Sequence, residues 1–353
     1  MQQEISLLCN QCTTCQGFGC IGQMPGMGGV NNNKNFQLNC QGWHLLRGHA
    51  KKAGTYDALK SISVNEKNIY IAPVTGAVQN IGYKNEKDFY TPYITAAYKA
   101  GVGIALGDGI PDEKLQFGIQ AVKDLQKDIA LQKRATLQES ESAQCSAKSA
   151  SSVQAGEVVV RTCDNTMQAG GDTMQTCDNT IQAAVFLKPY PNDVLLERIE
   201  WCKSVANIIG NDIDAYNIAT MRNLARLEKK SASAIKELRE RAGLPYAMKG
   251  VFTKEDIELV KETMPDIVVV SNHGGRIETD VGSTALFLFN HAKELKKYCG
   301  EVWVDGGIRS KEDVQSALHF GADRVMIARP FIISLATSGV DGMIKSIENI
   351  IKG

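Results

Sequence analysis

The sequence predicts an α/β protein built as one (β/α)8 TIM barrel over residues 68–353. From Ile69 onward, short apolar runs rich in β-formers alternate with longer amphipathic runs, a pattern typical of βα units around a parallel sheet. Eight such runs occur, the number that closes a barrel. Glycines and arginines follow the last two runs, where barrels commonly bind phosphate.

Each predicted strand is a short run that ends in small or polar residues. The strands are IYIAP from Ile69, VGIAL from Val102, AVFLK from Ala184, ANIIGND from Ala206, YAMKGV from Tyr246, DIVVVSN from Asp266, VWVDGG from Val302 and DRVMIAR from Asp323. The predicted helices are Phe89–Lys99, Asp112–Leu131, Asp193–Ser204, Lys230–Ala242, Lys254–Thr263, Thr284–Tyr298 and Lys311–Phe320. Thr253 and Ser310 are predicted to cap the two helices that follow them, with Asp313 in the first turn of the latter.

Two regions depart from this alternation. Residues 1–67 are predicted to form an irregular Cys-rich segment with a modest helical pattern at Tyr56–Ile62. Residues 132–182 form an insertion rich in Ser, Gln, Ala and Thr, with the near-duplicates TCDNTMQA from Thr162 and TCDNTIQA from Thr176. Two copies are too few for a solenoid, so the insertion is predicted as a surface excursion or small β-hairpin, and as a spacer rather than a ligand site.

The composition favours a globular protein that binds small molecules. Of 353 residues, 43% are hydrophobic and 22% charged, and 39 basic residues balance 39 acidic ones. No long basic run indicates nucleic acid. The sequence lacks a run of eighteen apolar residues and an N-terminal signal pattern, so we expect a cytoplasmic protein without membrane contact.

Candidate catalytic residues lie at the strand ends, where barrels place their chemistry. The sixth strand ends in Ser271, Asn272, His273, Gly274, Gly275 and Arg276. This run puts an imidazole and a guanidinium beside two glycines, and the glycines allow the backbone to approach a ligand closely. Because His273 is one of only five histidines and sits in a polar turn, we favour a catalytic role over a structural one.

The ends of the seventh and eighth strands predict an anion-binding site, and the end of the fifth strand carries a lysine that needs an anionic partner. Gly306, Gly307 and Arg309 follow the seventh strand and Arg329 follows the eighth, which together predict a phosphate pocket. Lys249 ends the fifth strand in an apolar context, where a buried lysine needs an anionic partner. Such a cation under a flavin would stabilise the anion that develops when a hydride arrives.

The motifs Lys249-Gly250, SNHGGR and DGGIRSKEDVQSALHFGADRVMIARPF resemble the FMN-dependent 2-hydroxy-acid oxidase and dehydrogenase family. The resemblance implies a barrel with FMN at its mouth and a homo-oligomer. It makes His273 the base, Asp214 the carboxylate that orients it, and Arg276 the partner of a substrate carboxylate; Lys249 would lie near flavin N1. The cofactor residues that it implies are Ala72, Pro73, Val74, Thr75, Gly76, Ser271, Asp305, Gly306, Gly307, Arg309, Ala328 and Arg329, to which we add Gly107, Lys188 and Gly274.

The substrate half of the family pattern is altered. Phe186 stands near the position of a family tyrosine, Ala184 replaces an expected glutamine and Ala328 replaces a glycine. Arg222 matches an expected arginine only if the register shifts, and Lys188 could serve as a replacement cation. These changes argue against a substrate like lactate or glycolate, so the expected substrate is stated only as a 2-hydroxy acid or a related hydroxy or carbonyl compound, and the electron acceptor stays open.

The N-terminal cysteines suggest a second cofactor. Cys9, Cys12, Cys15 and Cys20 have the spacing C-x2-C-x2-C-x4-C, which is close to that of an iron-sulfur site and compatible with zinc. A set of reduced or redox-active thiols is an equal alternative. A cluster could accept electrons from reduced FMN, which would favour a dehydrogenase over an oxidase.

Two other functions compete with hydroxy-acid oxidation. One is a non-redox FMN barrel such as a type 2 isopentenyl diphosphate isomerase, which would share the phosphate half of the site. The other is a flavin- or metal-carrying electron-transfer module without turnover. The SNHGGR motif argues against the first, and the joint presence of His273 and Asp214 argues against the second.

Overall fold

The computed structural model describes residues 34–81, 83–150, 181–218, 225–277 and 279–353. Eight parallel strands form the predicted TIM barrel, and sequential neighbours pair throughout in the order β1-β8-β7-β6-β5-β4-β3-β2. The strands are β1 Ile69–Ile71, β2 Ala105–Gly107, β3 Ala183–Leu187, β4 Ala206–Asp212, β5 Tyr246–Val251, β6 Ile267–Val270, β7 Glu301–Asp305 and β8 Arg324–Ile327. All eight predicted strands are confirmed, although β2 begins three residues later than expected, at Ala105 rather than Val102.

The barrel closes between β1 and β2 through Gly103. The amide of Gly103 donates to the carbonyl of Ile69 and its own carbonyl accepts from the amide of Ile71, both at 2.9 Å. A Cβ on Gly103 would lie 2.5 Å from the ring of Tyr70, so a glycine is required at this closure. This contact explains why the early part of the predicted second strand is a bridge rather than a ladder.

Ten α-helices are described. They are α1 Lys34–Lys52, α2 Tyr56–Lys60, α3 Tyr90–Lys99, α4 Glu113–Ala150, α5 Asn192–Cys202, α6 Ala232–Ala242, α7 Lys254–Thr263, α8 Thr284–Leu295, α9 Lys311–His319 and α10 Arg329–Lys352. The predicted caps are confirmed, since Thr253 and Ser310 each form a capping box with Asp256 and Asp313. Within the described residues, none of these helices is both long and apolar enough to cross a membrane.

The barrel interior is filled by side chains from alternate strand positions, as in other barrels of this size. Large side chains such as Tyr70, Phe186 and Trp303 pack against alanines of neighbouring strands. The rings of Tyr70 and Trp303 are tilted by 37° with their centroids 4.5 Å apart, and the guanidinium of Arg324 lies over both rings. The core is therefore closed at the N-terminal end of the strands, and the opposite end is left to form the site.

Helix α1 corrects the prediction of an irregular lead-in up to residue 67. Its buried apolar residues Phe36, Trp43, Leu46 and Ala50 recur at helical spacing, which was the available signal. Two glycines and two asparagines lower its intrinsic helix propensity, and packing against α8 and α9 supplies the missing stability.

Helix α4 corrects the first part of the predicted insertion. The helix continues to Ala150, where a surface excursion or hairpin was expected from residue 132. The stretch from Ile119 to Ala150 contains neither Gly nor Pro and is rich in Ala, Gln, Lys and Glu, all good helix formers. Residues Lys123–Ile181 form a compact unit separate from the barrel unit, and the duplicated TCDNT segments lie outside the described residues.

Candidate functional site

A cavity of about 320 Å³ opens at the C-terminal ends of the strands. Its volume falls in the range of small-molecule sites. Most of the predicted site residues line it: Ala72, Pro73, Val74, Thr75, Gly76, Lys188, Lys249, His273, Gly274, Arg276, Asp305, Gly306, Gly307, Arg309, Ala328 and Arg329. The strand ends thus bring together residues from six strands, β1, β3, β5, β6, β7 and β8, that are far apart in sequence.

Three predicted residues lie behind the cavity wall. Asp214 contacts the imidazole of His273 from the side away from the cavity. Ser271 is fully buried, donates to Asp305 at 2.8 Å and accepts from the amide of His273 at 3.1 Å. Gly107 packs against Pro73, where a Cβ would lie 2.9 Å from the Pro73 carbonyl oxygen. These residues shape the wall from behind.

His273 and Asp214 form the pair that the sequence predicted. His273 Nδ1 lies 3.1 Å from Asp214 Oδ1, and both side chains are largely buried. The backbone of His273 has φ +57, a left-handed conformation that is strained for a residue other than glycine. The turn of Asn272 and Gly275 holds it there, because the Asn272 side chain accepts from the Gly275 amide at 3.0 Å.

The electrostatics of this pair favour a neutral imidazole. Burial, together with the nearby ammonium groups of Lys188 and Lys249, lowers the pKa of His273 well below its usual value. Burial also raises the pKa of Asp214 to about 7, against the opposing pull of Lys249. Above about pH 7 the pair therefore contains a carboxylate and a neutral imidazole, the state in which His273 can accept a proton.

A buried carboxylate, Asp212, joins two lysines of the site. Lys188 Nζ lies 2.6 Å from Asp212 Oδ2, and Lys249 Nζ lies 3.1 Å from Asp212 Oδ1. The charges of both lysines outweigh burial and hold the pKa of Asp212 well below its usual range. Burial opposes the charge on Lys249, but Asp212 and Asp305 outweigh it and raise the pKa of Lys249.

Sequence reasoning missed Asp212. The available signal was the need of Lys188 and Lys249, both at the ends of apolar strands, for an anionic neighbour. Asp212, Asp214 and His273 also form a set whose ligand atoms lie within 4.8 Å of one another, as a metal site would require. The ammonium groups of Lys188 and Lys249 already contact Asp212, so a cation there would meet two positive charges.

Three arginines of the cavity lining lie close enough together to act on one another electrostatically. Among the described residues, Arg276, Arg309 and Arg329 form no ion pair with a carboxylate; they donate hydrogen bonds to the backbone carbonyls of His273, Ile308 and Gly274, respectively. Burial and the charges of the other two arginines lower the pKa of Arg329 well below its usual value. Such a cluster is costly unless an anion compensates it, and a phosphate is the anion that arginines bind best.

The buried Asp305 carboxylate also indicates a ligand. Its Oδ1 atom has no hydrogen-bond partner within the described part of the chain, whereas Oδ2 accepts from Ser271. A buried acceptor without a partner is expensive, so a donor from a bound molecule fits this position. Gly306 and Gly307 follow with φ +90 and +78, which brings their backbone to the cavity surface. These features fit a polyhydroxylated phosphate ester such as the ribityl phosphate of FMN.

Helix α1 supports three ligand-binding loops from outside, which the sequence did not reveal. Asn39 and Asn272 exchange side-chain hydrogen bonds of 2.7 and 3.1 Å. Trp43 Nε1 donates to the carbonyl of Gly306 at 2.8 Å. Phe36 lies under the guanidinium of Arg329, 4.0 Å from the ring centroid. The loops after β6, β7 and β8 therefore share one support.

The loop after β1 is held by a carboxylate. Glu86 accepts hydrogen bonds from the backbone amides of Gly76, Ala77 and Val78 at 2.8, 2.9 and 3.1 Å. The hydroxyl of Tyr90 donates to the same carboxylate at 2.9 Å. These bonds fix the segment Ala72–Gly76 against the cavity.

Two further predicted features cannot be placed. Cys9, Cys12, Cys15 and Cys20, the proposed iron-sulfur or zinc ligands, lie outside the described residues. Arg222 lies outside them as well.

Curated relatives share a segment of the chain. A peroxisomal (S)-2-hydroxyacid oxidase, GLO3, from Arabidopsis thaliana is 38% identical over 114 residues, which is 32% of this chain and 31% of that protein. 2-Hydroxyacid oxidase 2 from Rattus norvegicus is 40% identical over 100 residues, which is 28% of each protein. The matched segment thus spans less than a third of each of these relatives.

The fold is similar to that of solved structures as well. A mandelate oxidase structure with benzoyl-formic acid has a TM-score of 0.56 at 16% identity, and the match covers 90% of this chain and 83% of that one. Residues 119–352 match the family described as FMN-dependent dehydrogenase, which is about two thirds of the chain. The chain belongs to the FMN-dependent dehydrogenase family.

Proposed function

We propose that this protein is an FMN-dependent oxidoreductase that oxidises a 2-hydroxy acid, or a closely related hydroxy compound, to its 2-oxo product. The observation that carries the proposal is the His273–Asp214 pair, whose imidazole lines the cavity together with Arg276 and the β7 and β8 loops. The family membership supports FMN as the cofactor, and the relatives named as 2-hydroxyacid oxidases support the substrate class.

The arginines and Asp305 would hold the cofactor. Arg309 and Arg329 would bind its phosphate, and the unpaired oxygen of Asp305 would accept from a ribityl hydroxyl. Lys249 would place its charge beside the flavin ring, next to the loop Ala72–Gly76. FMN, when bound, supplies a two-electron acceptor for hydride.

Side chains of the protein would bind the substrate carboxylate and accept the hydroxyl proton. Arg276 would bind the substrate carboxylate by charge-assisted hydrogen bonds, which fixes the hydroxyl-bearing carbon in the cavity. The Nε2 atom of His273 would take the hydroxyl proton, while Asp214 at Nδ1 holds the tautomer and compensates the charge that forms. A buried and neutral imidazole suits this role because its Nε2 atom carries no proton before the reaction.

The two competing functions fit less well. An isomerase that uses FMN without net redox would not need a histidine base with an adjacent guanidinium, and a carrier without turnover would not need an oriented base. A metal centre or a set of redox-active thiols at the N-terminal cysteines, the homo-oligomer and the cytoplasmic location remain predictions from the sequence, and the electron acceptor stays open.

The proposal is tested by mixing the FMN-loaded protein anaerobically with glycolate, (S)-lactate and (S)-mandelate and recording the visible flavin absorbance. We expect at least one acid to bleach the flavin and to yield the 2-oxo acid. His273→Gln should keep FMN and lose bleaching by about 100-fold or more, whereas His291→Gln, at a half-exposed position on α8, should behave as the wild type. Retained flavin that none of the acids reduces, but dithionite does, would overturn the proposal.

A further inference from the structure

Lys188 occupies an unusual place beside the proposed base. It follows β3, lines the cavity, and has a side chain that is only 9% exposed. Its Nζ atom lies 3.2 Å from His273 Nε2 and 2.6 Å from Asp212 Oδ2. A lysine so buried is costly unless its charge has a use or a partner.

We propose that Lys188 is a catalytic residue: its ammonium group donates a hydrogen bond to the substrate oxygen whose proton His273 removes, and it stabilises the negative charge that develops there. This inference rests on the proposed function and adds a second group at the reacting oxygen.

The geometry places one oxygen within reach of both groups. Because Asp214 engages Nδ1, the Nε2 atom is the one that faces Lys188 and the cavity. Two nitrogen atoms 3.2 Å apart can share an oxygen at about 2.8 Å from each. The ammonium group carries three donors, so it can keep its bond to Asp212 while it contacts a substrate.

The same geometry defines the chemistry. The substrate O–H bond breaks and its proton passes to His273 Nε2, while the C2–H bond breaks and its electron pair leaves as hydride for the bound FMN. A carbonyl bond forms between C2 and the oxygen; the hydroxy acid is oxidised and FMN is reduced by two electrons. Negative charge on the oxygen is greatest while the proton leaves ahead of the hydride, and a fixed ammonium stabilises that charge most.

A purely structural role for Lys188, as the counterion of Asp212, does not account for its contact with His273. Lys249 Nζ already lies 3.1 Å from the other oxygen of Asp212, so that carboxylate is compensated without Lys188. The backbone of Lys188 is also fixed independently of its side chain, because its amide donates to Asp108 at 3.1 Å. Arg198 holds Asp108 in turn, with 2.7 Å between Nη1 and Oδ1. The end of β3 therefore holds the backbone of Lys188 in a position from which its ammonium group reaches His273.

The first test compares reduction rates in FMN-loaded protein, with whichever of glycolate, (S)-lactate or (S)-mandelate reduces the wild type. Lys188→Met should lower the limiting rate of anaerobic reduction by about 100- to 1,000-fold, with the Kd for FMN within about threefold of the wild type. Lys188→Gln can still donate a hydrogen bond to Asp212, so it serves as a second variant if Lys188→Met does not fold. Its limiting rate of reduction should fall by the same factor. Lys230→Met is the matched control, since Lys230 is also buried and pairs with Glu228 at 2.8 Å away from the cavity.

The second test needs no turnover. The charged groups that act on His273 come from five different strand ends and are Lys188, Asp212, Asp214, Lys249, Arg276 and Asp305. Removal of the Lys188 ammonium leaves the others in place and should raise the pKa of His273 by about one unit or more, measured by 15N NMR of the imidazole in FMN-loaded protein without substrate. Lys230→Met should leave this titration unchanged.

The outcomes separate the inference from the proposed function. Reduction by Lys188→Met or Lys188→Gln within about threefold of the wild type would overturn the inference while the function stands. An unchanged His273 titration would overturn the contact on which it depends. If the wild type is reduced by none of the acids, the proposed function fails, and the NMR titration still decides whether Lys188 controls His273.

Discussion

The indole Nε1 of Trp43 donates a 2.8 Å hydrogen bond to the carbonyl of Gly306, which ties helix α1 to the loop after β7. That loop also carries Gly307 and Arg309, the predicted phosphate-binding residues. A helix outside the barrel thus reaches the backbone of the cofactor site. FMN affinity should therefore depend on residues that never touch FMN.

Trp43→Phe tests this dependence. The substitution keeps an aromatic ring but leaves the buried Gly306 carbonyl without its donor, which costs about 1–3 kcal/mol. We expect a lower melting temperature and a Kd for FMN weaker by about tenfold, measured by quenching of flavin fluorescence. Trp201→Phe, on the distant α5, is the control and should leave FMN affinity unchanged; equal affinity in both variants would show that α1 does not support the loop.

Gly307→Ala tests how tightly α1 and the β7 loop pack. A Cβ there would lie 2.0 Å from the carbonyl oxygen of Asn39, at a residue with φ +78. The control is Gly54→Ala, because Gly54 has a similar φ of +71 but nothing within 4 Å of the added Cβ. Backbone strain alone should cost Gly54→Ala about 1–2 kcal/mol of unfolding free energy.

Gly307→Ala should lower the free energy of unfolding clearly more than Gly54→Ala does. It should also abolish FMN binding, because the added Cβ forces the β7 loop or α1 to move. Urea unfolding and FMN titration of both variants provide the measurements. Similar losses of stability in the two variants would mean that φ, and not contact with Asn39, limits position 307.

The sequence predicted the barrel and its strand-end chemistry because both depend on local patterns. Apolar runs such as AVFLK and DIVVVSN identify strands, and SNHGGR places His273 and Arg276 at a strand end. Contacts that join distant segments leave no such local trace. The pairing of Asp212 with Lys188 spans 24 residues, and the pairing of Asn39 with Asn272 spans 233.

Helix propensity explains the two errors in secondary structure. Helix α1 was missed because its stability comes from packing, whereas its glycines and asparagines give it a low intrinsic helix propensity. The opposite holds for the extension of α4 to Ala150, where good helix formers override a low-complexity appearance. Both errors lie outside the strand ends, so the predicted site was little affected.

Arg198→Met tests the buried support of the Lys188 strand end. Arg198 pairs with Asp108 at 2.7 Å and also with Asp112, and its guanidinium lies 4.3 Å from the centroid of the Tyr190 ring. Removing it leaves the buried Asp108 carboxylate without its main cation, which typically costs about 3–5 kcal/mol. Arg239→Met is the control, since Arg239 and Asp266 are 37% and 40% exposed and their pair should contribute at most about 1 kcal/mol. Urea unfolding of both variants measures the difference, and equal losses would show that the Asp108 network is not the stronger of the two.

The pH dependence of flavin reduction tests the His273–Asp214 pair. Reduction requires a neutral imidazole and an ionised Asp214, and burial raises the pKa of Asp214 to about 7. As the pH falls through about 7, the pair gains a proton, so the rate should fall on the acid side and level off above it. The measurement is the limiting rate of anaerobic reduction as a function of pH.

Asp214→Asn separates the carboxylate from the imidazole in that profile. An amide cannot compensate the imidazolium that forms, so the plateau rate should drop by about 100-fold or more. The acid limb should also move to lower pH, because the remaining titration is that of His273, whose pKa is lowered by burial and by Lys188 and Lys249. Asp341→Asn, at an exposed position on α10, should keep both the plateau and the limb of the wild type. If the acid-side fall in rate stays at the wild-type pH in Asp214→Asn, then another group causes that fall, and Asp214 takes no part in the proton transfer.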